Sequence, residues 1–250
     1  MVKEPFKTGQ KFLPGLKCCT FEPFLPNYQV GLILGDSQVQ QEPILKKIKE
    51  RGFAFPLGLN ASVRMQTLYN HRDPHDFGRK QELLCPYFDR KASNCGIWPY
   101  RGQSCRSFFC VSSHGLAGEK FWDLVSEYLH IIEMGISQVI YLKLGGNDQL
   151  IETCLGHFNV FKARPDQLSS DRLDLSTWNE VWRPVLLRHQ QQDLEQLPME
   201  DQVTQFYRSC ADIFKGLNKG DLMESLEDHH FDDLLELETM LIKNLKGLTT

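Results

Sequence analysis

The chain has no long hydrophobic run, no apolar leader and little excess of charge. Its first residues, MVKEPFKTGQKFLPGLKCC, are polar and broken by Pro5, Gly9, Pro14 and Gly15. They lack the apolar stretch of a secretory signal. No run reaches the ~20 apolar residues that a membrane-spanning helix needs. The net charge of −4 and pI of about 6.1 leave no electrostatic footprint for nucleic acid or acidic lipid. Neither a P-loop nor a G-x-G-x-x-G run is present, and no Ser-His-Asp or Cys-His triad can be argued from the residue order. No internal repeat or long low-complexity segment occurs. These absences predict a cytoplasmic chain with neither a membrane nor a nucleic acid as partner, and leave an unknown protein partner open.

What is present is enough for a core. The hydrophobic fraction is 41% over 250 residues, so the chain can fold without disulfide staples, as one large domain or two small ones. Cysteine is the conspicuous residue: Cys18, Cys19, Cys85, Cys95, Cys105, Cys110, Cys154 and Cys210. In a reducing compartment four disulfides are not expected, and metal ligation is the first reading of any cluster. The eight divide by setting. Cys210 falls on a helical face with Val203, Phe206, Tyr207, Phe214 and Leu217, and Cys154 falls with Leu150, Ile151, Leu155 and Phe158. Both read as small buried hydrophobes. The other six lie in segments rich in Pro, Gly and aromatics.

The pattern along the chain predicts a strand at Tyr28–Leu34 and a turn at Gly35-Asp36-Ser37. A short helix is predicted from Pro43 to Gly52, with Lys46, Lys47, Lys49 and Arg51 at its C-terminal end. Val63–Tyr69 reads as a second strand. Residues 85–115 read as a cysteine-rich loop region. An amphipathic helix follows through Phe121, Leu124, Val125, Tyr128, Leu129 and Ile132, with Gly135 just past its end. Further helices are predicted near 147–158, 177–196, 199–216 and 221–246, interrupted or bounded by Pro184 and Pro198. Gln190–Gln192 reads as a polar tract on a solvated helix.

The informative stretch is Cys85-Pro86-Tyr87-Phe88-Asp89, Cys95-Gly96-Ile97-Trp98-Pro99-Tyr100-Arg101 and Cys105-Arg106-Ser107-Phe108-Phe109-Cys110. The intervening lengths are nine, nine and four residues. Zinc ribbons and fingers use close C-x2-4-C pairs, which only Cys105 and Cys110 approach. Longer loop-borne spacing suits an iron–sulfur cluster at least as well. These residues resemble the YkgJ-type cysteine cluster family of zinc- or iron-chelating proteins. Its pattern is an N-terminal C-x-x-C-x-x-C-C, then a C-P segment, then C-x-I-Y-x-x-R-P-x-x-C-R-x-F. Cys18-Cys19 matches the end of the first element and Cys85-Pro86 the second. Cys95, Ile97, Arg101, Cys105, Arg106 and Phe108 match the third. Phe12 and Gly15 stand where the family has its two earliest cysteines, Gly102 replaces a Pro, Trp98 replaces the Tyr, and Cys110 lies outside the pattern. The resemblance covers about residues 1–115. It implies a bound zinc ion or iron–sulfur cluster. Related clusters in flagellin lysine N-methylases imply a second possibility, methyl transfer from S-adenosylmethionine. Gly145-Gly146-Asn147-Asp148 is a turn-like run with no sign of a methyl-donor loop, so binding of that cofactor is not expected.

The expected ligands are therefore drawn from Cys18, Cys19, Cys85, Cys95, Cys105 and Cys110. One of the adjacent pair is expected to bind, with Cys19 favoured, because neighbouring side chains diverge in extended chain. Arg101 and Arg106 can offset thiolate charge. Phe88, Trp98, Tyr100, Phe108 and Phe109 can form an apolar shell. His71 and His75, set in Asn70-His71-Arg72-Asp73-Pro74-His75-Asp76, read as loop residues, since Pro74 breaks helical pairing. His114 is a fallback ligand, and Asp228-His229-His230 reads as a solvated face. A thiol-based redox sensor is a third possibility. The fold expected is α+β and mostly helical. A cysteine-rich, irregular, metal-binding region spans 1–115 and a helical region spans 116–250, and the two can be continuous.

Overall fold

The computed structural model describes residues 19–73, 76, 78–107, 114–158, 171–189 and 196–248. Cys18, Pro74, His75, Phe108, Phe109, Cys110 and Gln190–Gln192 lie outside the described residues. The described chain is mostly helical, with five two-residue strands.

A run of Tyr, Val and Ile as short as 28–34 carries no period that separates a strand from a buried helix. It forms helix α1, Asn27–Gly35, in place of the expected strand. Tyr28, Gln29, Val30, Gly31, Ile33 and Leu34 are all buried, so the segment is enclosed on every side. Helix α2, Glu42–Lys49, is amphipathic: Ile44 and Ile48 are buried one turn apart, Pro43 sits in the first turn, and Lys46, Lys47 and Lys49 lie in the last. Lys47 turns inward to an ion pair with Glu22 and donates to the Asn60 carbonyl.

Three short strands form one antiparallel sheet of order β1-β3-β2, with β1 at Leu25–Pro26, β2 at Ala54–Phe55 and β3 at Gly58–Leu59. Gly58 has φ 149° and faces β1 so closely that a Cβ would lie 2.2 Å from the Leu25 carbonyl oxygen. Only glycine fits there. The second expected strand is also a helix, α3, Val63–Asn70. The Ser62 hydroxyl accepts from Met65 N (3.2 Å), and this N-cap prevails over the β-branched start of the segment.

Strands β4 (Phe88–Asp89) and β5 (Asn94–Cys95) make a hairpin. A four-residue helix, α4, covers Gln103–Arg106. Helix α5 runs from Gly115 to Lys143. It passes straight through Gly135, where the sequence reading ended it. A glycine inside a helix costs about 1 kcal/mol, and the burial of every residue from 134 to 141 outweighs that. Helix α6 is Asp148–Phe158, and Asn147 Oδ1 accepts from Leu150 N (2.8 Å), so the Gly145–Asp148 run is a helix–helix connection. Helix α7, Leu175–Arg188, is capped by Asp174 and contains Pro184. Helices α8, Met199–Gly216, and α9, Lys219–Leu248, complete the order.

One core joins α1, α2, the small sheet and the buried faces of α5 to α8, and includes residues on both sides of 115. Helix α1 packs on α8, with Tyr28 stacked on Phe214 at 4.3 Å. Long side chains tie the sheet to this layer. Trp182 Nε1 donates to the Ala54 carbonyl (3.0 Å), and Tyr207 Oη to that of Phe55 (2.7 Å). Asn27 Nδ2 donates to the carbonyls of Pro56 (3.0 Å) and Ser137 (2.9 Å). Among the described residues no helix is long and apolar enough to cross a membrane.

Candidate metal centre

Three of the four segments carrying cysteine are tied together by backbone hydrogen bonds. Cys85 N donates to the Cys19 carbonyl (2.8 Å), which fixes the segment entering β1 against the Cys85 turn. Phe88 N closes that turn onto the Cys85 carbonyl (3.1 Å). The β4–β5 hairpin then pairs Phe88 with Cys95. Its tight connection follows from Asp89, whose Oδ1 accepts from Lys91 N (2.8 Å) and Ala92 N (3.1 Å), and from Ser93 at φ 52°. Gly96 continues the tie: its N–H reaches the Tyr87 carbonyl and its own carbonyl accepts from Gln40 N.

The fourth cysteine, Cys105, rides on α4. Glu133 of α5 accepts from Gln103 N (3.0 Å) at the start of α4 and from Gln29 Nε2 (3.3 Å). Ser126 Oγ donates to Gln103 Oε1 (2.6 Å), a second clamp from α5. The helix that presents Cys105 is thus held by side chains of α5.

Cys19, Cys85, Cys95 and Cys105 line one cavity of about 340 Å³. Among the described residues no His, Asp or Glu lines it, and Arg101 is the one charged residue on its wall. As placed, no three His, Cys, Asp or Glu side chains among the described residues stand close enough to hold a single ion. The four cysteines border a common space and do not form a closed ligand set. An all-sulfur donor set suits zinc, copper(I) or iron–sulfur clusters, and is foreign to calcium and magnesium. Tyr87 lines the same cavity, is 1% exposed, and its hydroxyl has no hydrogen-bond partner among the described residues. Burial pushes the Cys85 thiol well up, so a thiolate there calls for a cation beside it.

The two arginines divide. Arg101 borders the cavity, with its guanidinium 3.3 Å from the Trp98 ring centroid. Arg106 is exposed and braces the turn, donating from Nε to the Arg101 carbonyl (2.6 Å) and from Nη2 to that of Pro99 (2.8 Å). Of the aromatics, Phe88 and Trp98 reach the cavity. Trp98 is 59% exposed, and Tyr100 instead donates to Asp36 (2.8 Å).

The other sequence candidates lie apart. Cys154 and Cys210 are buried in the core, and burial pushes the Cys154 thiol up to about 12. His71 is exposed, with Nδ1 3.0 Å from the Thr67 carbonyl. His114 precedes α5, and residues 228–230 fall within α9 with side chains that are not described. Tyr69, Ser126 and Glu133 escape the sequence reading, because helices α3 and α5 meet the cysteine loops only in three dimensions. Glu133 does leave one trace: it is a lone acid in Ile131-Ile132-Glu133-Met134.

Comparison with protein-family models, with curated proteins and with solved structures gives no match. The chemistry of the site therefore rests on its own residues.

Burial raises the Glu133 pKa, and the hydrogen bonds from Gln103 and Gln29 with the nearby Arg106 offset this only in part. An acid whose folded pKa is raised gives stability that is present below its unfolded pKa and lost as pH rises through the folded value. The melting temperature of Glu133→Gln relative to the parent is therefore expected to improve from about pH 4 to pH 7. A relative loss over that range would show that the hydrogen bonds outweigh burial.

Proposed function

We propose that the protein binds an iron–sulfur cluster through Cys19, Cys85, Cys95 and Cys105, with zinc as the alternative occupant. The observation that carries this reading is the meeting of four cysteines from separate segments on one cavity that no carboxylate or imidazole among the described residues lines. The nine-residue spacings that separate Cys85, Cys95 and Cys105 suit a cluster held by loops better than the close C-x2-4-C pairs of zinc ribbons and fingers. A single zinc ion draws its sulfurs to about 2.3 Å, a closure that would require the bordering loops to contract further. Iron–sulfur clusters span a larger space with the same ligands. Arg101 on the cavity wall would offset part of the thiolate charge, and the Tyr87 hydroxyl is a donor in want of an acceptor. The resemblance to the YkgJ-type family, carried by Cys85-Pro86 and by the Cys95 to Phe108 element, points the same way.

The test is purification of the full chain without oxygen, followed by iron, acid-labile sulfide and zinc analysis. Iron and sulfide in matching amounts support the cluster, and stoichiometric zinc supports the alternative. A chain that takes up neither metal, even on reconstitution, refutes the reading. Removal of the metal is also expected to lower hydrogen-exchange protection across 19–27 and 85–107, while the helices beyond 116 keep theirs, because ligand binding supplies folding free energy to the loops alone. Equal protection with and without metal would separate the loops from the centre.

A further inference from the structure

A second cavity, of about 490 Å³, lies between α3 and α5 and shares Phe21, Tyr69, Ser104 and Ser126 with the cysteine-lined one. Its volume falls in the range of small-molecule sites. The two cavities are therefore adjacent, with side chains of α3, α4 and α5 common to both walls.

The chemistry of its walls is one-sided. Phe21 and Tyr69 pack with ring centroids 4.8 Å apart and planes tilted by 59°, Phe24 meets the His130 ring edge-on, and Met65 and Met134 add soft apolar surface. Among the described residues no Lys or Arg lines it. Glu22 is already neutralised by Lys47. Arg72, whose guanidinium lies 3.5 Å from the Tyr69 centroid, is not on the lining. Asp123 and Glu127 stand one turn apart on α5, and neither has an ion-pair partner among the described residues. His130 lines the same cavity, where lost solvation lowers its pKa and the neighbouring Glu127 carboxylate offsets this in part. Among the described residues the cavity thus has an apolar, aromatic body and an exposed acidic rim.

We infer that this cavity is a binding site for a small organic cation: an apolar or aromatic body seated against Phe21, Tyr69 and Met65, with an ammonium end held by Asp123 and Glu127. Aromatic walls favour such a ligand twice, through burial of its body and through the attraction of a cation to ring faces. A carboxylate of the same shape meets two like charges and no donor of opposite sign. The ligand would sit one side chain away from the cysteine-lined cavity, where its arrival can be felt by whatever the cysteines hold. The site itself does not depend on that occupant.

The experiment is calorimetric titration of the full chain, purified without oxygen, with tryptamine, phenethylamine and octylamine against indolepropionate, hydrocinnamate and octanoate. At least one amine is expected to bind about tenfold or more tightly than its matched acid. The shape-preserving double variant Asp123→Asn/Glu127→Gln is expected to lose about tenfold of that preference. Met65→Trp, which fills the cavity from α3, is expected to abolish amine binding. Circular dichroism verifies the fold of each variant, and where Met65→Trp does not fold, the double variant decides. Absence of binding by all three amines overturns the inference, as does equal binding of amines and acids. Full amine preference in the double variant overturns it as well.

Discussion

Cys85→Ala, Cys95→Ala and Cys105→Ala are each expected to lose most of the bound metal, whereas Cys154→Ala and Cys210→Ala keep it. The first three, with Cys19, border one cavity, while the last two are enclosed in the core. Removing a ligand leaves an incomplete coordination shell, and thiolates whose charge Arg101 alone cannot balance. Removing Cys154 or Cys210 deletes one sulfur from a packed helix face. That costs on the order of 1 kcal/mol and lowers the melting temperature by a few degrees. The measurement is metal per folded chain for each variant, made without oxygen. Full occupancy in Cys95→Ala and Cys105→Ala would remove the cavity from consideration. Loss of metal in Cys210→Ala with the fold intact would place the centre in the core.

The second large effect is expected at Gly31. Gly→Ala inside a helix ordinarily gains about 1 kcal/mol from propensity. Here the added Cβ would lie 1.9 Å from the Tyr207 carbonyl oxygen and 2.8 Å from Ala211 Cβ. One of these atoms is backbone, so rotation of a side chain cannot relieve the clash. Helix α8 must move off α1, disturbing the Tyr28–Phe214 stack and the Tyr207 hydrogen bond to the sheet. Overpacking of this kind costs about 3 kcal/mol or more, so the steric loss exceeds the propensity gain. Urea denaturation should show a large fall in midpoint for Gly31→Ala and little change for Gly35→Ala, whose added Cβ meets nothing within 4 Å. An unchanged midpoint for Gly31→Ala would mean that α1 and α8 are not in contact.

Periodicity and isolation explain which parts were legible in the sequence. In α8, Val203, Phe206, Tyr207 and Cys210 repeat at helical spacing and are all fully buried, so a residue's role could be read from its neighbours. Helix α1 shows no such repeat, because a helix enclosed on every side needs none, and its Val and Ile content mimicked a strand. Gly135 looked like a helix end for the same reason: propensity is local, while the burial that carries α5 through it is tertiary. The cysteine loops were legible as a group. Their placement on one cavity depends on the Cys19–Cys85 backbone bond and on Glu133 and Ser126 reaching α4 from α5, contacts that no spacing encodes. The acid-rimmed cavity between α3 and α5 was not legible, since Tyr69 and Asp123 belong to segments with no pattern in common.

The hydrogen bonds from Trp182 and Tyr207 to the small sheet bear on how the chain acquires its shape during synthesis. They span 128 and 152 residues, from the Ala54 and Phe55 carbonyls to helices made much later. While the ribosome is still translating α5, the strands leading from the first cysteine have emerged but their buried supports have not. The nascent sheet region must wait, half-assembled, until α8 is out. Long-range closure of this kind is slow and leaves apolar surface exposed in the interval. Such a chain is expected to lean on holding chaperones during that wait, and to tolerate the loss of α9 better than any stop before α8.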